Sequence, residues 1–125
     1  MIDPFPKSRW VRVCGLAELT PDQGLRLNTA PPVTVFLSEG EVYCLDDTCT
    51  HETYSLADGW VEKCVVECPL HFAKFDLRTG AVVSPPAHAP ISKHELRVDG
   101  DDIHVLLPPH YVVNDADRRS VLSEG

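Results

Sequence analysis

Nowhere in these 125 residues does an apolar run approach the about 20 residues that a helix needs to cross a bilayer, and residues 1–10 contain no apolar signal core. Both absences lead us to expect a cytoplasmic protein with no membrane partner. Basic residues are in the minority, 11 against 19 acidic, for a formal net charge of −8. That balance argues against nucleic acid or anionic lipid as a partner, since both are held by excess positive charge, and it suits steering toward basic patches on other proteins. Internal repeats, glycine-rich phosphate loops and nucleophile–base constellations are all missing. The length fits one domain with one modest core and leaves no room for a second. Five cysteines, an odd number, fit a reducing compartment better than the paired framework of a secreted protein.

Short alternating runs are plentiful. Val33, Val35 and Leu37 alternate with Thr34, Phe36 and Ser38, and after Glu39-Gly40 the run Val42-Tyr43-Cys44-Leu45 resumes, which predicts a hairpin. Leu96 and Val98 alternate with Arg97 and Asp99, and Asp99-Gly100 turns the chain into Ile103, Val105 and Leu107, a second hairpin. Between them, Asp58-Gly59, Arg78-Thr79-Gly80 and the prolines of residues 85–90 cut the chain into short strands and loops. The pattern is all-β.

The chemistry is concentrated in one place. Cys49-Thr50-His51, sixteen residues, then Cys68-Pro69-Leu70-His71 forms a set of two thiols and two imidazoles in two tight pairs, C-x-H and C-x-x-H. Soft thiolates suit the iron of an iron–sulfur cluster, and neutral imidazoles bind a second iron without adding negative charge, so that one iron is easier to reduce than the other. Cys2His2 sets also hold structural zinc. C-x-H brings its ligands closer than the usual zinc spacings and no finger helix follows, which favours the cluster and leaves zinc as the alternative. A plant-type ferredoxin run beginning at Cys44 and Cys49 fails on spacing, because its next ligand falls on Glu52. Cys14, Cys44 and Cys64 are expected as small buried hydrophobes or inert thiols.

From about Trp10 to Leu107 this pattern resembles the small Rieske [2Fe–2S] ferredoxins that feed electrons to multicomponent ring-hydroxylating dioxygenases. The resemblance implies a Rieske-like antiparallel β-sandwich at residues 1–107, with a small cluster-binding β subdomain at about residues 47–88 carrying two ligand loops. It implies one [2Fe–2S] cluster per chain, with Cys49 and Cys68 on an inner iron and His51 and His71 on an outer iron through which electrons enter and leave. Pro69 fits a loop-shaping proline after the second cysteine, and Ser84-Pro85-Pro86 a proline-rich loop that shields the cluster. The implied function is one-electron transfer from a flavin-containing reductase to a terminal non-heme iron oxygenase, by a protein that is a monomer and not itself an enzyme. A cluster-bearing subunit or redox-regulatory module of another oxidoreductase is the alternative, and a zinc-stabilised interaction domain the third reading.

Two departures within the resemblance are informative. Membrane-complex Rieske proteins brace their ligand loops with a disulfide, but here Tyr54 and Leu70 stand at those positions. The high-potential branch also places serine and tyrosine hydroxyls where this chain has Ala73 and Phe75. Donors aimed at cluster sulfurs stabilise the reduced form, so their loss predicts a low potential.

Elsewhere, His104 is expected to face solvent and His94 to be partly buried, while His88 lies in the proline-rich loop where it could approach the cluster rim. Trp60 and Phe72 are expected to pack around the cluster loops, and Trp10 fits either packing or surface. Residues 108–125 are expected as a loosely ordered tail, with Asn114 able to cap a short helix.

Overall fold

The computed structural model describes residues 8–48, 55–68, 73–84 and 89–113. It is all-β, and every paired strand runs antiparallel to its neighbour. The strands are β1 (Arg9–Gly15), β2 (Gly24–Leu27), β3 (Thr29–Ala30), β4 (Val33–Ser38), β5 (Glu41–Asp46), β6 (Trp60–Glu62), β7 (Val65–Glu67), β8 (Lys74–Asp76), β9 (Val82–Ser84), β10 (Lys93–His94), β11 (Leu96–Asp99), β12 (Asp102–Leu107) and β13 (Val112–Val113). Two 3-10 turns, Leu16–Glu18 and Leu56–Asp58, are the helical elements among the described residues.

Three sheets of three or four strands build the described structure. β1, β12 and β11 form one sheet; β10, β5, β4 and β2 form the sheet opposite; β6, β7, β8 and β9 form a third. The two predicted hairpins are present. Ser38 pairs Glu41 across Glu39 (φ 52°) and Gly40 (φ 79°), a turn with both central residues left-handed whose twist matches that of the strands it joins. Asp99 pairs Asp102 across Gly100 and Asp101.

β4 explains how the third sheet attaches. Val33 and Val35 face the sandwich core with Val13, Cys14, Ile103, Val105 and Leu107. Phe36 points the other way and packs with Leu45, Leu56, Val66, Phe75 and Leu77. β4 is therefore buried on both faces. Its two polar side chains on the second face are both engaged, Thr34 with Asp47 at 2.5 Å and Ser38 with Asp22 at 2.9 Å, as burial demands.

The hairpin joining β6 to β7 turns at Lys63 and Cys64, with φ of 51° and 64°, although neither is glycine or asparagine. Cys64 offsets that cost by docking: its N–H donates to Ser38 Oγ at 3.2 Å and its thiol lies 3.7 Å from Tyr43 Oη. Cys14, Cys44 and Cys64 are all buried, as the sequence suggested.

Further placements bear on the sequence reading. The stretch after Leu107 is docked as far as Val113, because β13 pairs with β3 and Tyr111 buries its ring against the sandwich; residues 114–125, and the cap expected at Asn114, lie outside the described residues. Trp60 is 58% exposed on β6, where Val61 takes the inward position. His104 does face outward, but it is half-buried between β1 and β11, and its Nδ1 is enclosed with no hydrogen-bond partner among the described residues. Val98 is exposed although it shares an alternation with Leu96. Trp10 is a surface residue, its ring covered by the Arg97 guanidinium at 4.6 Å.

Candidate metal centre

β5 delivers the chain to the first ligand loop. After Asp46 come Asp47 and Thr48, and Thr48 forms an antiparallel bridge with Ser55, a neck that flanks the segment carrying Cys49 and His51. Below the neck the Leu56 N–H donates to the Asp47 carbonyl at 2.7 Å, and the chain turns through Leu56–Asp58. That turn lies so close to β2 that a Cβ at Gly24 would stand 2.8 Å from Ala57 Cα and 2.8 Å from Thr34 Cγ2.

The Asp47 carboxylate organises the neck. It is 2% exposed, and its Oδ1 accepts from Thr34 Oγ1 at 2.5 Å, Ser55 Oγ at 2.7 Å and the Ala57 N–H at 3.1 Å. Arg26 Nε approaches Oδ2 at 3.2 Å from a side chain that is 60% exposed. A buried carboxylate without such partners would cost several kcal/mol, so the donors and the guanidinium are what allow a charge here.

The second loop has a tighter neck. β7 ends at Glu67, and the Cys68 N–H donates to the Ala73 carbonyl at 2.7 Å just before β8 begins. That bond joins the two residues that flank the segment carrying His71. Leu56, Cys68 and Ala73 are all fully buried and share one apolar cluster with Phe36, Leu45, Val66 and Phe75. The two loops spring from a common floor.

Of the four sequence-predicted ligands, Cys68 is placed on that floor; Cys49, His51 and His71 lie outside the described residues, as do Tyr54, Pro69, Leu70, Phe72, Pro85, Pro86 and His88. Among the described residues no group of three or more histidine, cysteine or carboxylate side chains gathers to hold a metal. A buried thiol at a loop neck, with one further thiol and two imidazoles in the two loops, has the donor chemistry of a mixed-ligand [2Fe–2S] site. The site and the group fit.

Beneath the first neck lies a second polar network that sequence reasoning missed. Asp46 Oδ1 accepts from Tyr111 Oη at 2.7 Å and sits 2.8 Å from His94 Nε2, and the His94 and Tyr111 rings meet edge to face at 5.1 Å. Burial, then the bond to Asp46, pushes the Tyr111 phenol above its usual range. The adjacent acids Asp46 and Asp47 were the available signal, but an acidic pair before a loop is read by default as solvated.

Residues 9–99 match the Rieske [2Fe-2S] domain. This chain belongs to the Rieske family. The 3-phenylpropionate/cinnamic acid dioxygenase ferredoxin subunit of Shigella flexneri serotype 5b (strain 8401) is 37% identical over 99 residues, which are 78% of this chain and 93% of that protein. The ferredoxin of carbazole 1,9a-dioxygenase from Nocardioides aromaticivorans IC177 superposes with a TM-score of 0.75 at 32% identity, over 79% of this chain and 98% of that one. A chain of the complex of reduced oxygenase and oxidized ferredoxin in carbazole 1,9a-dioxygenase superposes with a TM-score of 0.74 at 32% identity, over 78% and 92%. The protein is thus a Rieske ferredoxin, carries one [2Fe–2S] cluster, and is an electron-transfer component rather than a catalyst. Between the two metals that the sequence left open, the family decides for the cluster. Among the described residues no helix is long and apolar enough to cross a membrane.

Proposed function

We propose that Cys49 and Cys68 supply the thiolates and His51 and His71 the imidazoles that hold the cluster. The loaded protein then carries single electrons from a flavin-containing reductase to a terminal non-heme iron ring-hydroxylating oxygenase, as a cytoplasmic monomer. The observation that carries the reading is Cys68, fully buried at the neck of a loop that contains C-x-x-H and sharing its floor with the neck of the C-x-H loop. Bound there, the group supplies a reversible one-electron site whose imidazole-ligated iron is the easier to reduce.

The chain's own residues do the rest. Leu56, Val66, Ala73 and Phe75 exclude water from the thiolate side. Ala73 and Phe75 offer no hydroxyl there, which supports a low potential. The formal charge of −8 suits encounter with basic patches, an effect screened over roughly 8–10 Å at ordinary ionic strength. An oxygenase partner is supported by the carbazole dioxygenase complex, in which ferredoxin and oxygenase meet.

His71→Cys tests the ligand set. It adds a thiolate and negative charge, so the expected outcome is a lower potential with an altered EPR spectrum; an unchanged potential and spectrum would remove His71 from the site. Stopped-flow transfer to the oxygenase tests the partner, with a rate that falls as salt rises. No transfer at any ionic strength would sink that part.

A further inference from the structure

We infer that Asp47 is a positioning residue for the cluster: its carboxylate ties together the two ends of the segment that carries Cys49 and His51. The inference rests on the ligand assignment above. One oxygen, Oδ1, gathers donors from three separate places, Thr34 on β4, Ser55 where the loop returns, and the Ala57 N–H in the turn below it. Asp47's own main chain joins the same knot, its N–H donating to the Pro32 carbonyl at 2.9 Å and its carbonyl accepting from Leu56. Departing and returning strands of the loop are therefore tied to each other and to the sandwich through a single side chain.

The arrangement is more than packing. An apolar residue would fill the space, but it could not satisfy a backbone N–H and two hydroxyls at one point. Arg26 meets the other oxygen from solvent, so the charge is partly balanced, and Gly24 leaves the turn room to approach. Loss of a group bonded directly to a metal ligand typically costs about 10–100-fold in metal affinity or activity, and Asp47, acting one bond further out through the ends of the segment, is expected at the lower end of that range.

The test is Asp47→Asn in the reconstituted, anaerobic holoprotein, with Ser55→Ala as a gentler variant that removes one donor and leaves the carboxylate. Three readouts are taken: the EPR spectrum of the reduced protein, the midpoint potential, and the half-life of the cluster against a chelator. We expect about tenfold faster cluster loss in Asp47→Asn, with broadened or shifted EPR features and a raised potential, because a negative charge beside the site has been removed. Ser55→Ala should lose its cluster faster in the same direction by a smaller factor. Arg26→Gln, which leaves the carboxylate unbalanced, should move the potential the opposite way. If Asp47→Asn or Ser55→Ala lowers thermal stability while the spectrum, the potential and the half-life match wild type, Asp47 is a structural residue only and the inference fails. Should Asp47→Asn not fold, a wild-type half-life and spectrum in Ser55→Ala overturns it. Wild-type protein that binds no cluster would instead overturn the ligand assignment itself.

Discussion

Tyr111→Phe probes whether the chain beyond Leu107 belongs to the fold. The substitution keeps the ring, which is 5% exposed, and deletes one hydrogen bond of 2.7 Å to Asp46. A hydrogen bond to a charged group contributes about 1.5–3 kcal/mol. The Asp46 side chain is 24% exposed and keeps His94, so water can replace part of what is lost and about 1 kcal/mol is the expected cost. For a chain of this size that corresponds to a fall in Tm of about 4 °C. Tyr111→Ala also removes the buried ring and should cost about 3–5 kcal/mol. The pH dependence carries a second signature. The folded phenol titrates above its unfolded value of 10.0, so its contribution is fully present below pH 10 and is lost as pH rises beyond it. Tyr111→Phe should lack that loss. The assay is thermal and urea unfolding of the oxidised holoprotein by circular dichroism between pH 7 and about 11. A Tyr111→Ala protein within about 0.5 kcal/mol of wild type would show that residues 108–113 are not docked and refute the reasoning.

Burial pushes the Cys14 thiol from 9.0 up to about 12, and burial likewise raises Cys44, so stability should decline from about pH 9 upward; Cys14→Ala and Cys44→Ala, less stable at neutral pH, should show a shallower decline in the same unfolding series. Ala73→Ser with Phe75→Tyr should raise the midpoint potential by roughly 40 mV per hydroxyl if about 1 kcal/mol of each new bond is specific to the reduced form, read by voltammetry; an unchanged or lowered potential contradicts the low-potential reading. Gly24→Ala should destabilise by about 1–3 kcal/mol in urea unfolding, because the new methyl meets backbone at Ala57 and side chain at Thr34.

Much of the fold was legible because alternation and turn chemistry agree. Val33, Val35 and Leu37 point to one core, and Glu39-Gly40 and Gly100 stand where left-handed φ is needed. Lys63-Cys64 was not legible as a two-residue turn, since neither residue prefers φ > 0; tertiary bonds to Ser38 and Tyr43 hold it. On β6 the register gives the inward place to Val61, between Trp60 and Glu62, which the sequence did not announce. The docked segment to Val113 was missed because Pro108-Pro109 ends a strand by sequence rules, and nothing local announces that Tyr111 reaches Asp46, 65 residues away. For the proposed site, the C-x-H and C-x-x-H spacings offer a donor set in the sequence, while Asp47 gives no such signal. Its role comes from β4 and the returning loop meeting one carboxylate, a long-range fact invisible in a string of residues.

The central claim is that this chain holds a [2Fe–2S] cluster on two cysteines and two histidines and uses it to move single electrons. Iron, sulfide and zinc analysis of anaerobically purified protein, with EPR after dithionite reduction, tests it most directly. The account predicts about two irons and two acid-labile sulfides per chain, no zinc, and a rhombic signal whose average g lies below that of all-cysteine clusters. Zinc with no EPR signal, unchanged after reconstitution with iron and sulfide, would contradict it.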